Sequence, residues 1–89
     1  MTLSTSTDVL AAHLAGEAVL LNLGDKSYYR LNETAALIWA ALEKGKSRDA
    51  ILEQLLATYE GEEKQVAQEL DSVIEDFKTR NLLVENRND

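Results

Sequence analysis

One unbroken stretch, residues 19–39, constrains the fold more than any other part of the chain. It reads as an apolar strand, a polar turn at Gly24-Asp25-Lys26, a returning strand over Ser27–Leu31, and a helix that begins after Asn32. Asn32 is a favourable N-cap, because its side chain can accept from the unpaired N–H groups of the first helical turn. A short strand that leads straight into a helix is expected at a sheet edge, where its free backbone groups can pair with another chain.

The rest of the chain predicts one more strand and two more helices. A weak strand pattern over Thr7–Leu14 and a stronger one over Glu17–Leu23 flank a turn signal at Ala15-Gly16. Apolar residues at helical spacing then define three helices, with buried stripes at Ala35, Ile38, Trp39 and Leu42, at Ile51, Leu52, Leu55 and Tyr59, and at Val66, Leu70, Val73, Ile74 and Phe77. This order predicts an α+β fold, winged helix-turn-helix-like, with a three-stranded antiparallel sheet followed by three helices.

Several start and stop signals set the bounds of these helices. Gly45 suits the position after the first helix, and Ser47 can cap the second. The third helix is expected from about Glu63 to Arg80, and an apolar tail at residues 82–84 can add a short extended piece. The 89 residues are enough for one domain, predicted over residues 1–89 with a core of about 8–85 and frayed ends from Asn86 onward.

Charge and composition exclude several classes of function. The net charge is −7, and residues 60–76 hold seven acidic side chains against Lys64 alone. A nucleic-acid binder needs the opposite sign to neutralise phosphates, and an anionic membrane would repel this surface. The N-terminus lacks the basic and apolar regions of a signal peptide, and no window reaches the roughly 20 apolar residues of a membrane span. We therefore expect a cytoplasmic protein without nucleic-acid or membrane partners.

No catalytic, metal or cofactor site is predicted. His13 is the only histidine and there is no cysteine, so the sequence offers no ligand spacing typical of a metal site. No serine lies in a nucleophile motif, and no glycine-rich phosphate loop is present. Asp71-Ser72-Val73 is similar to the phosphopantetheine site of acyl carrier proteins, but it lies inside a helical pattern and too close to the C-terminus for that fold.

The returning strand offers the one candidate binding feature. Its alternation places Tyr29 and Leu31 on the core face, and Tyr28 and Arg30 on the opposite face. A tyrosine and an arginine beside an open strand edge are suited to holding a peptide. On spacing alone, a peptide-binding role and an ordinary solvated sheet face are equally favoured for these two residues.

Residues 28–39, Tyr-Tyr-Arg-Leu-Asn-Glu-Thr-Ala-Ala-Leu-Ile-Trp, resemble the PqqD-like family, also called precursor-peptide recognition elements. Those proteins share an apolar strand, a tight turn, a tyrosine-rich strand, Leu-Asn, and a helix bearing Ile-Trp. Two further helices follow, and the last is acidic and ends near a Leu-Leu pair, here Leu82-Leu83. The resemblance covers about residues 8–85.

The resemblance implies a noncatalytic module that binds the leader of a ribosomally made precursor peptide as an added β-strand. The leader would lie between the strand Ser27–Leu31 and the third helix. Carried over, the peptide-binding residues are Ser27, Tyr28, Tyr29, Arg30 and Leu31 of the strand, with Glu69, Asp71, Val73, Ile74, Asp76 and Phe77 of the helix.

The resemblance also implies the partners. Stand-alone members of this size resemble the leader-binding component of lasso-peptide biosynthesis, which presents the precursor to a separate leader peptidase, cyclase or other modifying enzyme. An alternative is the chaperone that delivers a precursor to a radical enzyme in pyrroloquinoline quinone synthesis. From another class, a winged-helix DNA-binding regulator would need basic residues where the third helix has acids. The exposed edge can also pair with a second copy, which would give an edge-strand homodimer.

Overall fold

A computed structural model describes residues 2–86 of the chain. Five strands and three helices follow one another as β1 (Thr2–Thr5), β2 (Val9–Leu14), β3 (Glu17–Asn22), β4 (Ser27–Leu31), α1 (Glu33–Glu43), α2 (Arg48–Thr58), α3 (Glu63–Thr79) and β5 (Leu83–Asn86). The predicted α+β class with three antiparallel strands followed by three helices is confirmed. The strand predicted from Thr7 begins at Val9, after a turn in which the Val9 N–H donates to the Ser6 carbonyl.

Strands β2, β3 and β4 form an antiparallel sheet in that order. A two-residue turn joins β2 to β3, and both of its residues, Ala15 and Gly16, have positive φ (48° and 85°), as a type I′ hairpin requires. In the second hairpin the positive φ falls on Lys26, not on Gly24. There the buried Asn22 side chain accepts from the Gly24 N–H at 2.9 Å and fixes the start of the turn.

Local signals in the sequence account for the helix ends. The Asn32 side chain accepts from the Ala35 N–H, and the Ser47 side chain accepts from the Ala50 N–H. Helix α1 ends with Gly45 in the left-handed region (φ 77°), as predicted, and α3 ends in the same way with Asn81 (φ 60°). After α3 the Leu82 N–H donates back to the Phe77 carbonyl, which directs the chain into β5.

The core lies between the inner face of the sheet and the helices. Ala18 and Leu20 of β3 are fully buried against the α1 side, and the rings of Trp39 and Phe77 meet edge to face with centroids 5.5 Å apart. The predicted stripes supply much of the remaining buried core, namely Ile38, Leu42, Ile51, Leu55, Leu70 and Ile74, and the apolar tail after α3 adds Leu82 and Leu83.

A second sheet, formed by the two ends of the chain, was not predicted. Strand β1 pairs antiparallel with β5, from Thr2 opposite Asn86 to Thr5 opposite Leu83. Leu3 packs against the core, so residues before the predicted core limit contribute to it. Asn86, where fraying was expected to begin, is the last residue of β5. Residues 87–89 lie outside the described residues.

Candidate functional site

Strand β4 is an edge strand, because among the described residues it pairs with β3 alone. The type I′ turn between β2 and β3 determines which backbone groups of β4 are left without a partner in the sheet. In that turn the Glu17 N–H bonds back to the Leu14 carbonyl, so alternate residues of β3 from Glu17 onward direct their backbone groups at β2. The Leu23 N–H donates to the Asp8 carbonyl, so Leu23 continues this alternation and also bonds on the β2 side.

The remaining residues of β3, Ala18, Leu20 and Asn22, therefore direct their N–H and C=O groups at β4. Their partners in the register are Leu31, Tyr29 and Ser27. It follows that Tyr28 and Arg30 direct their backbone groups away from the sheet. These two residues supply the donors and acceptors that an added strand would meet.

A groove runs between β4 and α3 and contains two adjoining cavities. The first has a volume of about 290 Å³ and the second of about 340 Å³. Both are lined by Arg30, Leu31, Asp76 and Phe77. Tyr28, Tyr29, Arg80 and Leu82 complete the first cavity, and Asn32, Ala35, Ser72 and Val73 complete the second. Phe77 is almost fully buried, so it links the groove to the core.

A charged and aromatic cluster lies at the first cavity. The Arg80 guanidinium lies 4.8 Å from the centroid of the Tyr29 ring. Its Nε donates to both carboxylate oxygens of Asp76 at 3.1 Å, and this hydrogen bond raises the pKa of Arg80. The hydroxyl groups of Tyr29 and Ser27 are hydrogen-bonded to each other at 3.0 Å. The cluster therefore presents a fixed cation and an aromatic ring to anything that enters the groove.

The structure brings most of the predicted site residues together. Tyr28, Tyr29, Arg30, Leu31, Val73, Asp76 and Phe77 all line the groove. Ser27 does not line the groove but contacts the Tyr29 hydroxyl, and Ile74 is buried in the core. Tyr28 and Arg30 are strongly exposed on the opposite face from Leu31, as the alternation predicted. Their role in peptide binding stays a prediction.

Two predicted acids lie away from the groove. Glu69 lines a separate cavity of about 160 Å³ between the helices, with Ile38, Leu55 and Val66 among its neighbours. Asp71 accepts a bidentate pair from Arg48 of α2, at 2.7 Å from Nε and 2.9 Å from Nη2. Neither carboxylate lines the cavities beside β4.

Sequence reasoning missed several lining residues, chiefly Arg80, Asn32, Ala35, Ser72 and Leu82. A signal for three members of the α3 wall was present. Ser72, Asp76 and Arg80 recur every four residues and so share one helix face, next to Val73 and Phe77.

The described residues hold no group of three or more side chains suited to binding a metal ion. Within the same residues, no helix is long and apolar enough to cross a membrane. His13 is half exposed and lies 3.7 Å from a carboxylate oxygen of Glu43.

Comparisons with known proteins show a family match and two solved structures of similar fold. The family model described as coenzyme PQQ synthesis protein D (PqqD) matches residues 17–83. A solved structure described as TbiB1 in complex with the TbiA(beta) leader peptide is 28% identical, with a TM-score of 0.90, over 96% of this chain and 99% of that one. A second, described as lasso peptide synthetase B1 complexed with the leader peptide, is 24% identical with a TM-score of 0.86, over 96% of this chain and 100% of that one, and shows the fold. Among curated proteins, no relative matches.

Proposed function

Because the chain belongs to the family of coenzyme PQQ synthesis protein D (PqqD), we propose that it is a noncatalytic adaptor that binds the leader of a ribosomally made precursor peptide. The observation that carries this proposal is the open edge of β4 beside the groove under α3. The 28% identical relative, which shares the fold over nearly its whole length, was solved with a leader peptide bound.

Binding would proceed by strand addition to β4. The leader's backbone would pair with the outward N–H and C=O groups of Tyr28 and Arg30, which gives affinity that does not depend on leader sequence. Alternate leader side chains would enter the two cavities, where Phe77, Val73 and the Arg80–Tyr29 cluster give selectivity. Val73, Asp76 and Phe77 are the helix residues that we place in the binding site, together with Arg80.

The adaptor would act in the cytoplasm and show the bound precursor to a separate leader peptidase, cyclase or other modifying enzyme. Lasso-peptide biosynthesis is the first candidate pathway, because the chain shares its fold with a structure described as lasso peptide synthetase B1 complexed with the leader peptide. Delivery of a precursor to a radical enzyme of pyrroloquinoline quinone synthesis is the second candidate, supported by the family match itself. The acidic surface of α3 disfavours DNA binding.

The test is a titration with the leader half of the precursor from the same gene cluster. Backbone amide shifts would be followed by NMR, together with the fluorescence of Trp39, which contacts the groove residue Phe77. We expect saturable shifts concentrated in β4 and along the groove side of α3. A leader with the same composition in scrambled order is the control. Shifts that avoid residues 27–31, or equal binding of the scrambled peptide, would contradict the proposal.

A further inference from the structure

A third cavity, which lies between the helices, takes no part in the strand pairing described above. Its volume is about 160 Å³, and it is more enclosed than either groove cavity. Apolar side chains from all three helices form its walls, namely Ile38, Leu55, Val66 and Leu70. We call it the helix cavity. Pockets for whole small molecules measure roughly 300–1,000 Å³, so the helix cavity suits a single long side chain.

The polar groups of the helix cavity lack partners. The Tyr59 hydroxyl is buried with no hydrogen-bond partner among the described residues, which is unusual for a polar group. Glu60 and Glu69 line the cavity and are exposed, and within residues 2–86 neither carboxylate has an ion-pair or hydrogen-bond partner. Two anions beside an apolar pocket select a cation on an aliphatic stem. Lysine and arginine fit this description, because they bury the stem and keep the charged head at the surface.

The helix cavity continues the groove along the seam between α1 and α3. On α3, Glu69 lies one helical turn before Val73 of the second groove cavity, and Val66 lies two turns before it. On α1, Thr34 of the helix cavity adjoins Ala35 of the groove. At about 5.4 Å per turn, the helix cavity therefore lies about 5–10 Å further along α3 than the second groove cavity.

The order of the lining residues shows which part of a leader reaches the helix cavity. Tyr28 and Arg80 share the first groove cavity, whereas Asn32 and Ser72 share the second. The helix cavity thus lies beyond the C-terminal end of β4. Antiparallel pairing is the commoner arrangement and continues the pattern of this sheet, and it places the residues that precede the leader's paired strand at that end. Because an extended chain advances about 3.3 Å per residue, the cavity is reached about two to four residues before that strand.

We infer that the helix cavity is a third subsite for the leader, and that it takes a lysine or arginine side chain about two to four residues before the strand that pairs with β4. This inference rests on the proposed leader-binding function and adds a charge requirement outside the strand. Backbone pairing does not depend on sequence, so it cannot define where along the leader the strand begins. A cation at a fixed distance from the strand defines that register.

The test is a double-mutant cycle measured by isothermal titration calorimetry, with the full-length chain and the leader peptide from the same gene cluster. In the protein, Glu69→Gln removes one carboxylate from the cavity and keeps the shape of the side chain. In the leader, methionine replaces the basic residue, which keeps an apolar stem and removes the charge. Glu53→Gln is the matched control, because Glu53 is an exposed glutamate of α2 that lines neither the groove nor the helix cavity.

We expect Glu69→Gln and the leader substitution each to weaken binding about three- to fivefold, because the pair is partly exposed to solvent. Together they should weaken binding no more than the leader substitution alone, since both changes remove the same interaction. Glu69→Gln should also make the leader affinity less sensitive to salt. Glu53→Gln should bind the leader as the wild type does.

Four outcomes would overturn the inference while leaving the proposed function intact. The leader has no lysine or arginine at this spacing, the two substitutions weaken binding independently, or Glu53→Gln weakens it as much as Glu69→Gln does. In the fourth, Glu69→Gln weakens binding of the leader peptidase but not of the leader, which would assign the helix cavity to a partner protein. Failure of the wild type to bind the leader through β4 would instead contradict the proposed function.

Discussion

At the scale of single residues, Arg80 concentrates the chemistry of the groove. Its guanidinium stacks on Tyr29 and is held by Asp76, so its position is fixed before a peptide arrives. We expect Arg80→Ala to weaken leader binding roughly five- to tenfold, and Arg80→Lys to weaken it nearly as much, because an ammonium group does not reproduce planar stacking. Isothermal titration calorimetry measures the change.

The control for this prediction is Arg48→Ala. Arg48 is also a half-exposed arginine paired with a carboxylate, that of Asp71, but this pair joins α2 to α3 away from the groove. Its loss should leave the leader affinity unchanged. Equal weakening by the two alanine variants would show that net charge, and not the position of Arg80, controls binding.

Asn32 has a structural role that can be separated from its place at the second cavity. Its side chain caps α1 by accepting from the Ala35 N–H at 2.9 Å. Without peptide, Asn32→Ala should lower the free energy of unfolding by about 1 kcal/mol, whereas Asn32→Asp should keep the cap and most of the stability. Urea unfolding followed by circular dichroism compares them. Equal losses in both variants would contradict the capping role.

At the scale of elements, the outward direction of the Tyr28 and Arg30 backbones makes β4 a testable platform. Proline lacks an N–H, so Arg30→Pro removes a donor from the free edge without breaking a bond to β3. We expect leader binding to fall roughly tenfold or more, with a smaller effect on folding. Tyr29→Pro removes a donor that faces β3 and should mainly destabilise the fold.

Arg30→Ala is the control for the proline variant. It removes the ion pair with Glu17 but keeps the backbone donor. NMR titration with the leader measures each affinity. If Arg30→Ala and Arg30→Pro bind the leader equally, the backbone of β4 does not carry the interaction and strand addition at this edge is wrong.

The elements differ in how far the sequence could predict them. The hairpin and the helices could be predicted because their signals are local: Asn32 and Ser47 at helix starts, Gly45 at an end, and apolar residues at regular spacing. The pairing of β1 with β5 depends on residues at opposite ends of the chain, so no local pattern indicates it.

The groove was predicted at the level of its two walls, β4 and α3, but not in every side chain. The sequence shows which helix residues share a face, yet two solvated faces flank the buried stripe. Asp71 lies on the side of α3 that meets Arg48 of α2, and Asp76 on the side that meets β4. Only the packing of the helices distinguishes them.

At the scale of the whole molecule, the charges separate by location. On the exposed face of the sheet Arg30 pairs with Glu17, and in the groove Arg80 pairs with Asp76, while most of the other acidic residues of 60–76 lie on α3 and the segment before it. The net charge of −7 disfavours self-association of the molecule, because two acidic surfaces repel each other. The same carboxylates make stability depend on pH.

Acid should destabilise the molecule through a few identified carboxylates. Hydrogen bonds from Arg48 hold the pKa of Asp71 below its ordinary value near 3.8, and the Ser27 hydroxyl and N–H do the same for Asp25. A carboxyl with a lowered folded-state pKa stabilises the fold above its unfolded pKa, and this contribution disappears as the pH falls through the folded value. The Asp71 pair is half exposed, so its contribution should be below about 1 kcal/mol.

Asp71→Asn should therefore be less stable than the wild type at neutral pH and equal to it once the pH lies well below 3.8. Urea unfolding across this range measures both; a constant difference between the two proteins at every pH would contradict the role of the ion pair.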